Sequence, residues 1–286
     1  MSLFWRREKQ FKSVWRVKKD RQSLLLVGSA HFCPYSFKKA LTRLIQSAEA
    51  VLFEGPLDPE SMARVVEYGR QGEGTPSLYD ALDPAARKEI NRQLAKHLNS
   101  NTSSGLYLDL IQPATPDFLE SYTRDVRPWM AFFTVWSALL NWKYSMDVEA
   151  YHIAKKLGKN IGFLETIEDQ LAALDGVPFE RFVNYLNHIE QWKGYQGRFV
   201  KAYLAGDLEQ FVSMTGVFPT RCESILAKRD PLFFLGIKSY LEKGPTTAFI
   251  GSAHIPGVRK LFLDEGYNVT QEVAREIALE IALEIV

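Results

Sequence analysis

Two histidines and two glutamates stand where apolar runs of this chain stop. Gly28-Ser29-Ala30-His31 closes the run 24–27, and Gly251-Ser252-Ala253-His254 closes the run 248–250. Glu54 follows the run 50–53, and Glu165 follows the run 161–164. Imidazole and carboxylate together suit Mn, Fe, Co or Zn, and a face of two histidines and one carboxylate leaves positions open for water and substrate. A metal ion held by His31, His254 and one glutamate would lower the pKa of its water and polarise a carbonyl. The other glutamate is then placed as a general base. That is hydrolytic chemistry.

The glycine three residues before each histidine is read as freedom for the backbone to turn off the strand. Ser29 and Ser252 are read as groups that fix a histidine tautomer or bond a bound molecule. One Gly-x-x-His phrase is weak evidence, because a histidine often only completes a core or an edge. Near-identical repetition at two strand ends is what gives the pair weight. Glu54 has a plainer reading as a turn carboxylate, and Glu165 as an acid at a helix start.

The elements that must position these groups follow from periodicity. The runs are short, aliphatic and bounded by glycine, which is the pattern of buried strands. Residues 11–27 read as a hairpin with a polar turn at 18–22. A helix follows over 35–48, with Phe37, Leu41, Leu44 and Ile45 on one face. Asp58-Pro59 and Asp83-Pro84 each open a helix, with Asp as cap and Pro in the first turn. Residues 99–105 are the most polar break. Helices are read over 116–157, the aromatic piece 129–142 being a buried one, and over 178–242. Thr166 caps a further helix with Asp169 three residues on.

The fold class is therefore α/β: a mixed central sheet built from two βαβ units that carry the Gly-x-x-His phrases, with a large helical insertion. We place the sheet units at about 11–58 and 246–273, a joining strand at about 160–165, and the insertion at about 59–158 and 166–245. The whole, 1–286, reads as a single domain, since each terminal unit alone is too small to cover a sheet on both faces. The tail 274–286 suits a sheet-edge cover or self-association into a homo-oligomer.

Composition narrows the class. With 286 residues the chain can bury a full core without staples. A formal charge of +1 gives no general case for nucleic acid or an acidic membrane surface. Two cysteines, Cys33 and Cys222, make neither a disulfide framework nor a zinc set. Residues 1–22 mix charges with aromatics, so no signal peptide is read there. No uncharged run, 129–142 included, reaches the roughly 20 residues a membrane span needs. The expectation is a cytoplasmic protein without a membrane span. His97, His152 and His188 fall on predicted helices with no ligand-spaced partner. Nothing marks Cys33 as an ionised nucleophile.

These pieces resemble the TraB/PrgY/GumN family, related to the TIKI proteins and more distantly to the erythromycin-esterase and ChaN-like fold. The resemblance runs from about Trp15 to Val273. It rests on the phrase 26–31, Phe53-Glu54, Met146-Asp147, the stretch 163–170 with its Leu-Glu-Thr, Ala205-Gly206-Asp207-Leu208, 226–230 and 250–257. It implies a metal-dependent hydrolase, a peptidase before an esterase, with Mn or Co as the metal and Zn or Fe after them. It implies His31, Glu54 and His254 as the core of the site, with Glu165 and Arg229 beside them. Arg229 would hold a substrate carboxylate or an oxyanion. The chain departs from the family in Ser29, where a threonine is usual, and in Arg229-Asp230, where Arg-Asn is usual. Asp230 is expected to pair with Arg229. The substrate implied is a peptide or a small amide or ester. The rival reading is a non-catalytic protein that binds haem, iron or a peptide signal in the same place. A third is an assembly protein driven by the tail from Ile277.

Overall fold

The computed structural model describes residues 11–99, 117–192 and 194–272. The expectations for the tail 274–286, for the loop 100–105 and for the side chain of His97 lie outside the described residues and side chains. Six strands form one sheet: β1 (Val14–Lys19), β2 (Gln22–Ser29), β3 (Ala50–Phe53), β4 (Asn160–Phe163), β5 (Thr246–Gly251) and β6 (Asn268–Glu272), in the order β4-β3-β5-β2-β1-β6. β1 and β2 are the expected hairpin. It turns tightly at Asp20, whose φ of 52° lies in the left-handed region. β2, β5, β3 and β4 run parallel, and β1 is antiparallel to both β2 and β6.

The two βαβ units are interleaved, not separate. β5 lies between β2 and β3, so the second phrase enters the middle of the first unit. β6 crosses to the far edge and pairs with β1. Register then fixes the strand ends. Phe163, Phe53, Phe249 and Val27 stand opposite one another across β4, β3, β5 and β2. All four parallel strands therefore finish at one edge, where open α/β sheets place their ligands.

The helices of the first part are α1 (Lys38–Gln46), α2 (Pro59–Arg70), α3 (Leu78–Ala81), α4 (Pro84–Asn99), α5 (Phe118–Thr123), α6 (Pro128–Leu140) and α7 (Met146–Lys156). Then come α8 (Ile167–Asp175), α9 (Phe179–Asn187), α10 (Tyr195–Ala205), α11 (Leu208–Thr215), α12 (Asp230–Lys238) and α13 (Ile255–Asp264). Local signals set several starts. Asp58 accepts from the Ser61 N–H ahead of α2, and Thr166 and Asp169 form a reciprocal capping box on α8.

Alternation along the strands feeds two cores. Leu25, Val27, Val51, Phe53 and Phe249 face α1 and α7, meeting Leu41, Leu44, Ile45, Met146 and Ala150. Leu24, Leu26, Leu52, Ala248 and Ile250 face α12 and α13, meeting Phe233, Ile237, Val258 and Phe262. Strands buried on both faces read as unbroken apolar runs. A third core gathers the insertion around α6, with Phe132 and Trp136 against Phe182 and Tyr185. Among the described residues, no helix is long and apolar enough to cross a membrane.

Candidate functional site

His31 leaves β2, Glu54 leaves β3, Glu165 leaves β4 and His254 leaves β5 to begin α13. Arg229 and Asp230 open α12, and Asp147 lies in the first turn of α7. The structure brings all of these to the same sheet edge. His152, on α7, and His188, at the C-terminal cap of α9, are exposed and are bonded to none of these residues among the described ones.

Each histidine is held by an aspartate. His31 Nδ1 lies 2.8 Å from Asp147 Oδ2, and His254 Nδ1 lies 2.6 Å from Asp230 Oδ1. A carboxylate only accepts, so Nδ1 carries the proton in both rings. That fixes the tautomer and leaves Nε2 for the site, the arrangement by which carboxylates orient metal-ligating histidines. The side chain of His31 is 59% exposed and that of His254 only 4%. His31 is thus the open side of the recess. Burial of its ring opposes protonation, but the charge and hydrogen bond of Asp147, with Glu54, outweigh this and raise its pKa to about 9.

Arg229 ties the rest together. Its Nε donates to Glu165 Oε2 at 2.8 Å and its Nη2 to Glu165 Oε1 at 2.5 Å, a two-pronged pair. Nη2 also donates to Glu54 Oε2 at 2.9 Å, and Nη1 lies 3.3 Å from His254 Nε2. Glu54 Oε1 accepts from the Gly251 N–H at 2.5 Å. Burial alone would push the Glu54 carboxyl up, but His254, Arg229, His31 and that N–H hold it down at about 2. Burial pushes Glu165 up, against the bonds from Arg229.

Gly251 explains why these groups can meet. A Cβ on it would lie 3.1 Å from Glu54 Oε1, 3.3 Å from His31 Nε2 and 3.8 Å from His254 Cδ2. The glycine keeps open the space that three functional side chains surround. Gly28 likewise has Ser252 Oγ 2.9 Å from where its Cβ would be. Neither glycine has a positive φ. The expectation of conformational freedom is corrected: both are needed for close approach.

Two further expectations are corrected. Ser252 Oγ donates to the Ser29 carbonyl, while Ser29 Oγ is buried and has no partner. Ser252 braces the two strand ends, and the aspartates, not the serines, fix the tautomers. Asp230 does not pair with Arg229, because neighbouring side chains at a helix start diverge. It turns to His254 instead, across a gap so narrow that a Cβ on Gly257 would overlap its carboxylate. Cys33 bonds the Tyr35 and Tyr144 carbonyls, and burial pushes its thiol up to about 12, which disfavours the thiolate form.

Sequence reasoning assigned no role at the site to Asp147 or to Arg221. The signal for Asp147 was an acid beside Met146 on the apolar side of a helix, where it is 6% exposed. Arg221 had no signal, since its place depends on a long turn between α11 and α12.

The donor types suit a divalent cation, and the bonded network is short of positive charge. Four carboxylates (Glu54, Glu165, Asp147, Asp230) face one guanidinium, so three negative charges fall to the imidazoles or to a bound cation. Among the described residues, no three His, Cys, Asp or Glu side chains stand ready to hold a metal as they are. Arg229 also occupies His254 Nε2 and one Glu54 oxygen.

The family model described as TraB/PrgY/gumN matches residues 13–271 of the chain. No curated protein matches it.

Proposed function

The chain belongs to the TraB/PrgY/gumN family, and from that premise we propose that it is a metal-dependent hydrolase, a peptidase before an esterase. Its bond of action is a peptide or related amide or ester. The observation that carries the reading is the space at Gly251, bordered by His31 Nε2, Glu54 Oε1 and the His254 ring. Both histidines have Nδ1 committed to an aspartate, so their donor atoms are the ones left for that space.

His31, His254 and Glu54 would hold the ion, with Mn or Co favoured and Zn or Fe next. Such an ion, when bound, activates water and polarises a carbonyl. Asp147 and Asp230 keep both Nε2 atoms directed inward, and His31 Nε2, protonated near neutrality with its pKa raised to about 9, must release that proton before it can hold an ion. Glu165 fixes the plane of Arg229, whose N–H groups are taken by Glu54, Glu165 and His254 and would reach an oxyanion only once one of these bonds opens. A proton-shuttle role for Glu165 requires its two-pronged bond to Arg229 to open. His254 Nε2 likewise becomes a donor only when Arg229 Nη1 withdraws from it.

The test is hydrolysis of a mixed peptide library by protein incubated with Mn, Co or Zn in turn. We expect cleavage with at least one of them, abolished by EDTA and in His31→Ala. No cleavage under any condition, with a Soret band on adding haem, would instead establish the binding-protein reading.

A further inference from the structure

Arg229 is already filled by Glu54, Glu165 and His254, so it has little left to offer a substrate. A second arginine stands at the same edge. Arg221 is half-buried in the turn between α11 and α12. Its Nη1 donates to the Ala253 carbonyl at 2.9 Å, and its Nη2 to Thr215 Oγ1 at 2.6 Å. The guanidinium also lies 5.2 Å from the centre of the Phe211 ring.

These partners are all neutral. Among the described residues, no carboxylate stands within ion-pair distance of Arg221. Tyr195 and Asp230 are near enough to be felt, but the phenol, pushed up to about 12 by burial, is neutral near pH 7 and the carboxylate is bonded to His254. Two of the five guanidinium N–H groups are used, and the rest have no partner among the described residues. A half-buried cation with only neutral acceptors carries an uncompensated desolvation cost. Arg221 is nonetheless rigidly held, and its anchor, Ala253, immediately precedes His254. The cation is therefore anchored to the strand-end turn that carries His254, and no anion is bonded to it among the described residues.

We propose that Arg221 receives a substrate carboxylate, so that the protein acts on peptides or amides carrying a carboxylate close to the bond cleaved. This rests on the hydrolase reading of the His31–Glu54–His254 recess. The carboxylate comes from the C-terminus of a short peptide or from an acidic side chain, and both present the planar group that a guanidinium fork fits.

The test is calorimetric titration of the purified full chain in EDTA with three probes: N-acetyl-Ala-Ala, its C-terminal amide, and N-acetyl-Glu amide. The acid should bind at least about tenfold tighter than its amide, the scale of one charged hydrogen bond. N-acetyl-Glu amide binding as tightly as the acid would assign the role to a side-chain carboxylate; weak binding would assign it to the C-terminus. The preference should vanish in Arg221→Gln and shrink in Arg221→Lys, which keeps the charge but loses the fork. It should persist in Arg181→Gln, since Arg181 holds the Phe218 and Pro219 carbonyls of the same turn and serves only structure. Equal binding of acid and amide by the wild type, or an undiminished preference in both Arg221 variants, would overturn the proposal. Failure of the hydrolase reading shows differently: no cleavage with any metal, while the preference for the acid remains.

Discussion

Arg229→Met should lower the free energy of unfolding by about 3–5 kcal/mol, the cost of leaving a buried charge without its partner. Among the described residues Arg229 is the only lysine or arginine bonded to Glu54 and Glu165, whose side chains are 9% and 1% exposed. Methionine fills similar volume but returns neither hydrogen bond nor charge. Among the described residues, the Glu165 carboxylate then keeps its hydrogen bond with Gln170 alone. Adding Glu165→Gln to the same chain should recover part of the loss, because one uncompensated carboxylate disappears and residues in one network are not additive. Denaturant midpoints with slopes measure both. A loss below about 1 kcal/mol, the value of a solvent-exposed pair, would contradict the buried network.

Glu54→Gln should cost at least about 100-fold in metal affinity, since losing a carboxylate that merely supports a ligand already costs up to that much. The amide can still accept from the Gly251 N–H, so the fold is retained. Its NH2 group would face Arg229 Nη2, where two donors oppose each other. The same variant tests the electrostatics of the apo protein. Glu54 has a carboxyl held down from 4.5 to about 2 in the folded state. It therefore contributes stability that is complete above pH 4.5 and lost as pH falls toward 2, on the order of 3 kcal/mol. Glu165 is held up and has the opposite sign: it costs stability near neutrality and is relieved as it takes a proton. The net acid loss is thus smaller than Glu54 alone would give. In Glu54→Gln the acid limb of the stability curve should flatten between those two values, and an unchanged limb would sink the assignment.

The strand ends were legible because the apolar runs are short and each stops at a distinctive residue. Their order was not. Strands buried on both faces carry no mark of which neighbour they pair with, so the insertion of β5 between β2 and β3 could not be read from 24–27, 50–53 and 248–250. Gly28 and Gly251 were visible, but their reason was not, because it lies in side chains that only the assembled sheet brings near. Asp230 was visible beside Arg229, and adjacency suggested a pair; helix geometry sends the two apart and gives Asp230 to His254. Asp147 reaches His31 from 116 residues away, a distance over which spacing says nothing. The capping box at Thr166 and the helix start at Asp58 needed only local rules, and both were found where expected.

The most direct measurement is the metal content of wild type, His31→Ala and His254→Ala, by inductively coupled plasma mass spectrometry after incubation with Mn, Co or Zn and removal of free ion. The account predicts about one divalent ion per chain in the wild type and none in either variant, with the folded far-ultraviolet spectrum kept in all three. A wild type that holds no ion, or variants that hold it as well as the wild type, would contradict a shared site at the two Gly-x-x-His strand ends.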